Sequence, residues 1–301
     1  MRHGYKNGNY IVLIDENTGT KIRVTKEDEF LPEFAESIDV TLTYECDGGC
    51  PFCYADCTPD GRHTDLLSEN VMHFVDSLKP FTELALNGND LSIPRLEAFL
   101  HILKAKRVFA NITVNQKHFA KNIDLLKRWT ESNLIYGLGV SLNDPHDPSI
   151  KRIHEFPNAV IHTVAGILSK EDLKVLKGRD FKILILGYKQ KGRGKDFYSQ
   201  EIEEKITWLG NHIRQIIDEE WFDVVSFDNL ALSQLKIKDK ISQEEWERFY
   251  MGDDGAFTFF VDLVNEVFAN DSLTKNVIPI TEWNANKMFH IIQNQRKTKV
   301  K

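Results

Sequence analysis

The stretch Ile38-Asp-Val-Thr-Leu-Thr-Tyr44-Glu-Cys46-Asp-Gly-Gly-Cys50-Pro-Phe-Cys53-Tyr-Ala-Asp-Cys57 decides how the rest of the chain is read. Its first seven residues, rich in β-branched side chains, have the character of a strand. The twelve residues from Cys46 to Cys57 contain all four cysteines, and the other 289 of the 301 residues contain none. The start of the chain has no long apolar run of the secretory kind, and no 18-residue apolar run occurs anywhere. A cytoplasmic location is the expectation. There, clustered cysteines read as metal or cluster ligands rather than disulfides.

Outward from this strand a rhythm repeats. Strand-like runs are expected at 38–44, 83–88, 107–115, 135–142, 159–167, 181–188 and 222–230. Helical patterns at 68–78, 93–105 and 119–130 fall between the first of them, with Ser68 and Ser92 as N-cap candidates. Strand followed by helix, repeated six times or more, predicts a parallel sheet with crossover helices, closed or nearly closed. The fold class expected is α/β, a partial (β/α)6 TIM-like barrel over 38–235. An N-terminal β-hairpin extension occupies 1–37, with strands inside Tyr10–Val24 and an acidic linker from Lys26 to Glu36. A C-terminal helical extension occupies 236–301, with helices at Glu244–Tyr250 and Phe257–Phe268 and a frayed basic end at Arg296–Lys301.

At 42% hydrophobic and 28% charged residues, the chain has enough apolar material for a large core, which excludes a disordered chain and a disulfide mini-scaffold. The net charge of −7 gives no indication of bulk nucleic-acid binding.

Cys46-x3-Cys50-x2-Cys53, with Phe52 at the aromatic place, resembles the signature of the radical S-adenosylmethionine (SAM) superfamily. Three thiolates on one short loop can each take one iron of a [4Fe–4S] cubane and leave the fourth iron open. The resemblance implies that SAM fills that position. It also implies that one electron cleaves SAM reductively, and that a 5′-deoxyadenosyl radical then takes hydrogen from a substrate. A one-electron donor such as a flavodoxin or ferredoxin is implied as partner. The Gly48-Gly49 pair suits a loop that wraps closely round a cluster. Cys57 is read as a bystander, with an extra ligand or a hydrogen donor as the other roles. The looser likeness is to a small phage and bacterial group without an auxiliary cluster domain.

Chemistry in such folds collects at the C-terminal ends of strands. By the same resemblance, Gly88 and Asn89 stand where the family binds the methionine ammonium. Asn89 replaces the usual Glu, so Asp90 is the other candidate. Asn115 and Ser141 fall where the family binds the carboxylate and ribose, and Gly166, Gly187 and Tyr188 where it supports adenine. His162 is read as a structural histidine. Lys189, Arg193 and Lys195 form a basic loop at the expected mouth, suited to a small anionic or nucleotide-type substrate, or else simply solvated. Two rivals stay open. One is a zinc-stabilised four-cysteine binding module, although zinc ligands usually come as two separated pairs. The other is a SAM-binding barrel without radical chemistry.

Overall fold

The computed structural model describes residues 2–299. The first element is a three-stranded antiparallel meander, β1 (Arg2–Asn7), β2 (Tyr10–Asp15) and β3 (Thr20–Val24). The hairpin expected at 10–24 is its second half. The first strand, RHGYKN, lacks an apolar run and was missed. Its signal was the Gly8-Asn9 pair, a two-residue hairpin loop between Asn7 and Tyr10. Gly8 sits at φ +60°, and a Cβ there would lie 1.8 Å from the carbonyl oxygen of Leu31.

The main sheet has ten strands. Seven follow in parallel: β4 (Ser37–Thr41), β5 (Glu83–Asn89), β6 (Phe109–Asn115), β7 (Gly137–Ser141), β8 (Ala159–Val164), β9 (Lys182–Leu186) and β10 (Val224–Phe227). Each falls within the run expected for it or within a residue of it. On the far side of β4, β11 (Thr258–Asp262) adds an eighth parallel strand. Antiparallel β12 (Val267–Ala269) and β13 (Ile278–Pro279) finish that edge. The sheet order runs β10 to β4 and then β11 to β13, so β10 and β13 are its two edges.

Two expectations fail at the C-terminus. The segment Phe257–Phe268 is not a helix but contributes β11 and part of β12. A short apolar run does not separate strand from buried helix by periodicity, and here the free flank of β4 recruits it. The basic end is not frayed over its described part. It continues α10 (Ala285–Lys299), in which Arg296 pairs with Asp253 at 3.5 Å; Val300 and Lys301 lie outside the described residues.

Helices α1 (Glu69–Ser77), α2 (Leu96–Ala105), α3 (Gln116–Lys121), α4 (Ile123–Glu131), α5 (Lys170–Leu176), α6 (Arg193–Phe197), α7 (Gln200–Asp218), α8 (Asn229–Gln234) and α9 (Gln243–Phe249) complete the list with α10. The pattern at 119–130 breaks at Asn122 into α3 and α4. Ser68 caps α1 as expected, whereas α2 starts later than Ser92, after Arg95. Alternation sorts the sheet's two faces. Leu84, Leu86, Ile112, Val114, Val140, Ile161 and Ile183 are buried in one core with Phe99, Leu103, Leu126 and Ile213 from the helices. Asp39, Asn87, Asn111, Thr113, Ser141 and His162 alternate with them and line the opposite, partly open face. No helix of the described residues is long and apolar enough to cross a membrane.

A buried ionic knot ties the meander to this sheet. Glu36, 1% exposed, accepts from the Tyr10 hydroxyl at 2.6 Å and from Arg23 at 2.8 and 3.2 Å, with Lys21 Nζ 3.6 Å away. Lys21 also reaches Glu83 on β5 at 2.7 Å. Removing one member of such a knot strands the others without solvent. Glu36→Ala is therefore expected to lower the unfolding free energy by about 3–5 kcal/mol, read by denaturant titration. A loss below about 1 kcal/mol, the level of a surface pair, would refute this reading.

Candidate functional site

The cysteine loop leaves the C-terminal end of β4 and is closed at its neck by backbone bonds. Cys46 N donates to the Thr58 carbonyl at 2.9 Å, Thr58 N to Tyr44 at 3.1 Å, and Tyr44 N to Arg62 at 2.8 Å. The neck is held to the neighbouring strand by two asparagines of β5. Asn87 accepts from Leu42 N and donates to the Thr43 carbonyl, both at 2.6 Å. Asn89, at φ +48°, donates to the Glu45 carbonyl at 3.1 Å. On the other side Asp47 accepts from Lys117 Nζ at 3.2 Å and bonds the His118 ring, both at the start of α3.

All four cysteines are free. Cys46, Cys50 and Cys53 are half-buried, and Cys57 is buried. Donors point at the sulfurs: Gly48 N at Cys46 (3.3 Å), Asn115 Nδ2 and Asn143 Nδ2 at Cys50 (3.6 and 3.9 Å) and Asn89 Nδ2 at Cys57 (3.7 Å). A Cβ on Gly48 would meet both Cys46 Sγ and Asn115 Nδ2 at 3.2 Å, so the glycine makes room for these contacts. A hydrogen bond from Cys57 brings the Cys53 thiol down to about 6. The same bond, with burial, pushes Cys57 up. Cys57 thus stands within the group.

This donor set suits a cubane better than zinc. Zinc holds thiolates at about 2.3 Å, hence about 3.8 Å from one another in a tetrahedron. Among the described residues, the only three His, Cys, Asp or Glu ligand atoms mutually within 4.8 Å belong to Asp47, Asp90 and His118. No three cysteine sulfurs approach that closely. Thiolates on separate irons of a cluster stand wider apart, and amide donors aimed at sulfur are the usual environment of cluster ligands.

The other expected residues fall into two groups. Asn89, Asn115 and Ser141 lie at the C-terminal ends of adjacent strands beside the loop. Asn115 also caps α3, accepting from Lys117 N at 2.9 Å. Phe52 packs near Phe197, ring centroids 6.3 Å apart. The glycines and Tyr188 serve packing. A Cβ at Gly88 would meet the Ile112 side chain at 2.6 Å, one at Gly166 (φ +87°) would meet Ile202 of α7 at 2.7 Å, and one at Gly187 would meet Leu230 of α8 at 2.4 Å. Tyr188 is 2% exposed, and its hydroxyl donates to the Gly194 carbonyl at 2.8 Å, so its ring is not free to receive a ligand.

The basic loop is not a free anion patch. Arg193 donates to the carbonyls of Cys50 at 3.2 Å and Cys57 at 3.0 Å, and its own N–H bonds Asp56 at 2.6 Å. Lys189 bonds Ser272 at 2.8 Å and lies 4.0 Å from the centroid of the Tyr54 ring. Lys189 interacts electrostatically with Asp39 and Asp254, which lie near one another and near Asp228. Only Lys195 of the three is exposed without a partner. Asn87, Asn143 and the Asp47–His118 pair were missed. Strand parity could have found Asn87, two residues before Asn89 and so on the same face.

The comparisons enter at this point. Neither protein-family models nor curated proteins match the sequence. Among solved structures, Streptococcus suis SuiB bound to precursor peptide SuiA superposes with a TM-score of 0.61 at 11% identity, over 96% of this chain and 88% of that one. SuiB bound to S-adenosylmethionine gives 0.61 at 9% identity, over 95% and 85%. The likeness is one of fold.

Arg193 fastens the middle and the end of the cysteine segment to α6, and charge-assisted bonds of this kind contribute about 1.5–3 kcal/mol. In Arg193→Ala the alkylation of Cys50 and Cys53, mapped by peptide mass spectrometry, is expected to quicken several-fold while far-ultraviolet circular dichroism stays unchanged. Unchanged alkylation rates would show that Arg193 does not hold the loop.

Proposed function

We propose that this chain is a radical SAM enzyme in which Cys46, Cys50 and Cys53 hold a [4Fe–4S] cluster. The observation that carries the reading is the three-thiol loop, spaced x3 and x2, at the C-terminal end of a strand in a large parallel sheet. That sheet is shared in fold with a protein solved with S-adenosylmethionine. The parallel strands β4 to β9, with their crossover helices, are read as the partial (β/α)6 barrel, flanked by extensions over 1–37 and 236–301. Once bound and reduced, the cluster and SAM supply a 5′-deoxyadenosyl radical that abstracts hydrogen from a substrate.

The chain's own residues do the holding. Asn115 and Asn143 donate toward Cys50 and stabilise a thiolate there. The Asn89 amide nitrogen is spent on the loop neck. Asp90, half-buried, accepts from Ser92 N and Oγ through Oδ1, and its other oxygen is the anionic acceptor at the end of β5 for the methionine ammonium. Ser141, with no protein partner for its hydroxyl, is read as a ligand of the carboxylate or ribose. Gly166, Gly187 and Tyr188 support the adenine side from behind, through packing. The electron donor is taken to be a flavodoxin or ferredoxin, and the compartment the cytoplasm, where thiols stay reduced. Because Arg193 is committed to the cysteine loop and carboxylates face Lys189, the mouth offers little grip for an anionic substrate.

Anaerobic reconstitution with iron and sulfide, followed by reduction in the presence of SAM, is expected to give about four irons per chain and 5′-deoxyadenosine. Alanine at Cys46, Cys50 or Cys53 should abolish both, whereas Cys57→Ser keeps the cluster. Asp90→Asn should weaken SAM binding about tenfold or more, as loss of one charge-assisted bond does. A fully reconstituted protein that binds SAM without cleaving it would favour the non-radical reading instead. One zinc per chain and no iron would favour the zinc module.

A further inference from the structure

A cavity of about 380 Å³ lies on the open face of the sheet, toward the N-terminal halves of β5 to β9 and away from the cysteine loop. The β2–β3 turn, Glu16 to Gly19, forms part of its wall. This volume falls in the range of small-molecule sites, and the chemistry of the lining is selective.

The charged groups around the cavity already have hydrogen-bond partners. Glu83 holds Lys21 at 2.7 Å, Glu16 meets the His3 ring at 2.9 Å, and Lys182 donates to the Pro157 carbonyl at 2.9 Å. The uncommitted groups are neutral. The His162 ring makes no hydrogen bond or ion pair, although it is closely surrounded by protein. Thr113 Oγ1 likewise has no partner, and Asn158 Oδ1 is buried without one. The His162 ring occupies space that only a glycine at 139 leaves. A Cβ there would lie 2.4 Å from His162 Cε1, 2.7 Å from Nε2 and 2.8 Å from Thr113 Oγ1. Burial holds the imidazole down at about 4, so at neutral pH it offers one donor and one acceptor and no charge.

We propose that this cavity binds an uncharged amide-like group, the donor-beside-acceptor face that a carboxamide or a nucleobase lactam presents, read by His162 with Thr113 and Asn158. A buried acceptor left unpaired, as Asn158 Oδ1 is, is costly, and a ligand that complements it and the half-buried His162 and Thr113 groups relieves that cost. The one cation among the lining residues, Lys182, is held at the Pro157 carbonyl, and each lining carboxylate already has a partner. Register pairs His162, in the cavity wall, with Ser141 at the C-terminal end of β7. If the radical SAM reading holds, this ligand is part of the substrate. Binding itself is independent of that reading.

Nicotinamide and uracil are the probes, with nicotinate and orotate as their anionic counterparts. Each is titrated into the full-length chain carrying ¹³C-labelled histidine, and the His162 ring signal, assigned from its loss in His162→Leu, is followed by NMR. Saturable shifts with at least one neutral probe, and about tenfold weaker binding of its carboxylate, are expected. For variants, affinity is read by calorimetry. His162→Leu should lose about tenfold or more, and His162→Gln, which keeps a donor and an acceptor, should stay within a few-fold. Gly139→Ala, which displaces the ring, should weaken binding even where His162→Leu does not fold. The same titration in Cys46→Ala keeps the test separate from the cluster chemistry, and there binding should persist. The proposal is overturned by no saturable shift with either neutral probe, by equal binding of neutral and anionic probes, or by affinity indifferent to both His162→Leu and Gly139→Ala.

Discussion

A twelve-residue loop with eight cysteine, glycine and aspartate residues has no helix or strand of its own to hold its shape, so hydrogen bonds from the sheet must hold it. That constraint organises the whole mouth of the fold. Asn87 and Asn89 fix the neck from β5, Asp47 anchors it to the start of α3, and Arg193 clamps the carbonyls of Cys50 and Cys57 from α6. Each contact comes from a different βα unit. The loop's geometry is therefore a readout of strand register across several units, and a shift in one strand end moves a sulfur. Uncharged amides dominate because they can satisfy backbone carbonyls and sulfurs without adding net charge beside thiolates.

The opposite end of the sheet is governed by charge. Glu36 sits between the meander and β5 with Arg23, Lys21 and Tyr10 around it, and such a knot is weak as net stabilisation but intolerant of mispairing. It sets how β2 and β3 lie against the open face. That position makes the β2–β3 turn a wall of the cavity beneath His162. The meander, which the sequence presents as an appendage, thus completes a chamber that the sheet alone leaves open.

What was legible in the sequence follows from the range of the forces involved. The parallel strands announced themselves because each is a local apolar run followed by a helical period, and the cysteine spacing is a local chemical pattern. The strand β11 was illegible because Phe257–Phe268 becomes sheet only through pairing with a strand more than two hundred residues earlier. The role of Arg193 was hidden for the same reason. A basic residue in a glycine-rich loop looks solvated or substrate-facing until the carbonyls it meets, 136 and 143 residues away, are brought to it. The orientation of Tyr188 was likewise hidden, since nothing local reveals that its hydroxyl turns back to Gly194.

The insertion of β11 beside β4 also has a temporal side. Ser37 pairs with Thr258, 221 residues later. At about 5–20 residues per second, a ribosome takes about 10 to 45 seconds to make that span. Throughout it the strand that carries the cysteine loop keeps one bare edge, open to mispairing, with four reduced thiols at its end. The last parallel strand to be synthesised is therefore the one that closes the flank of the first.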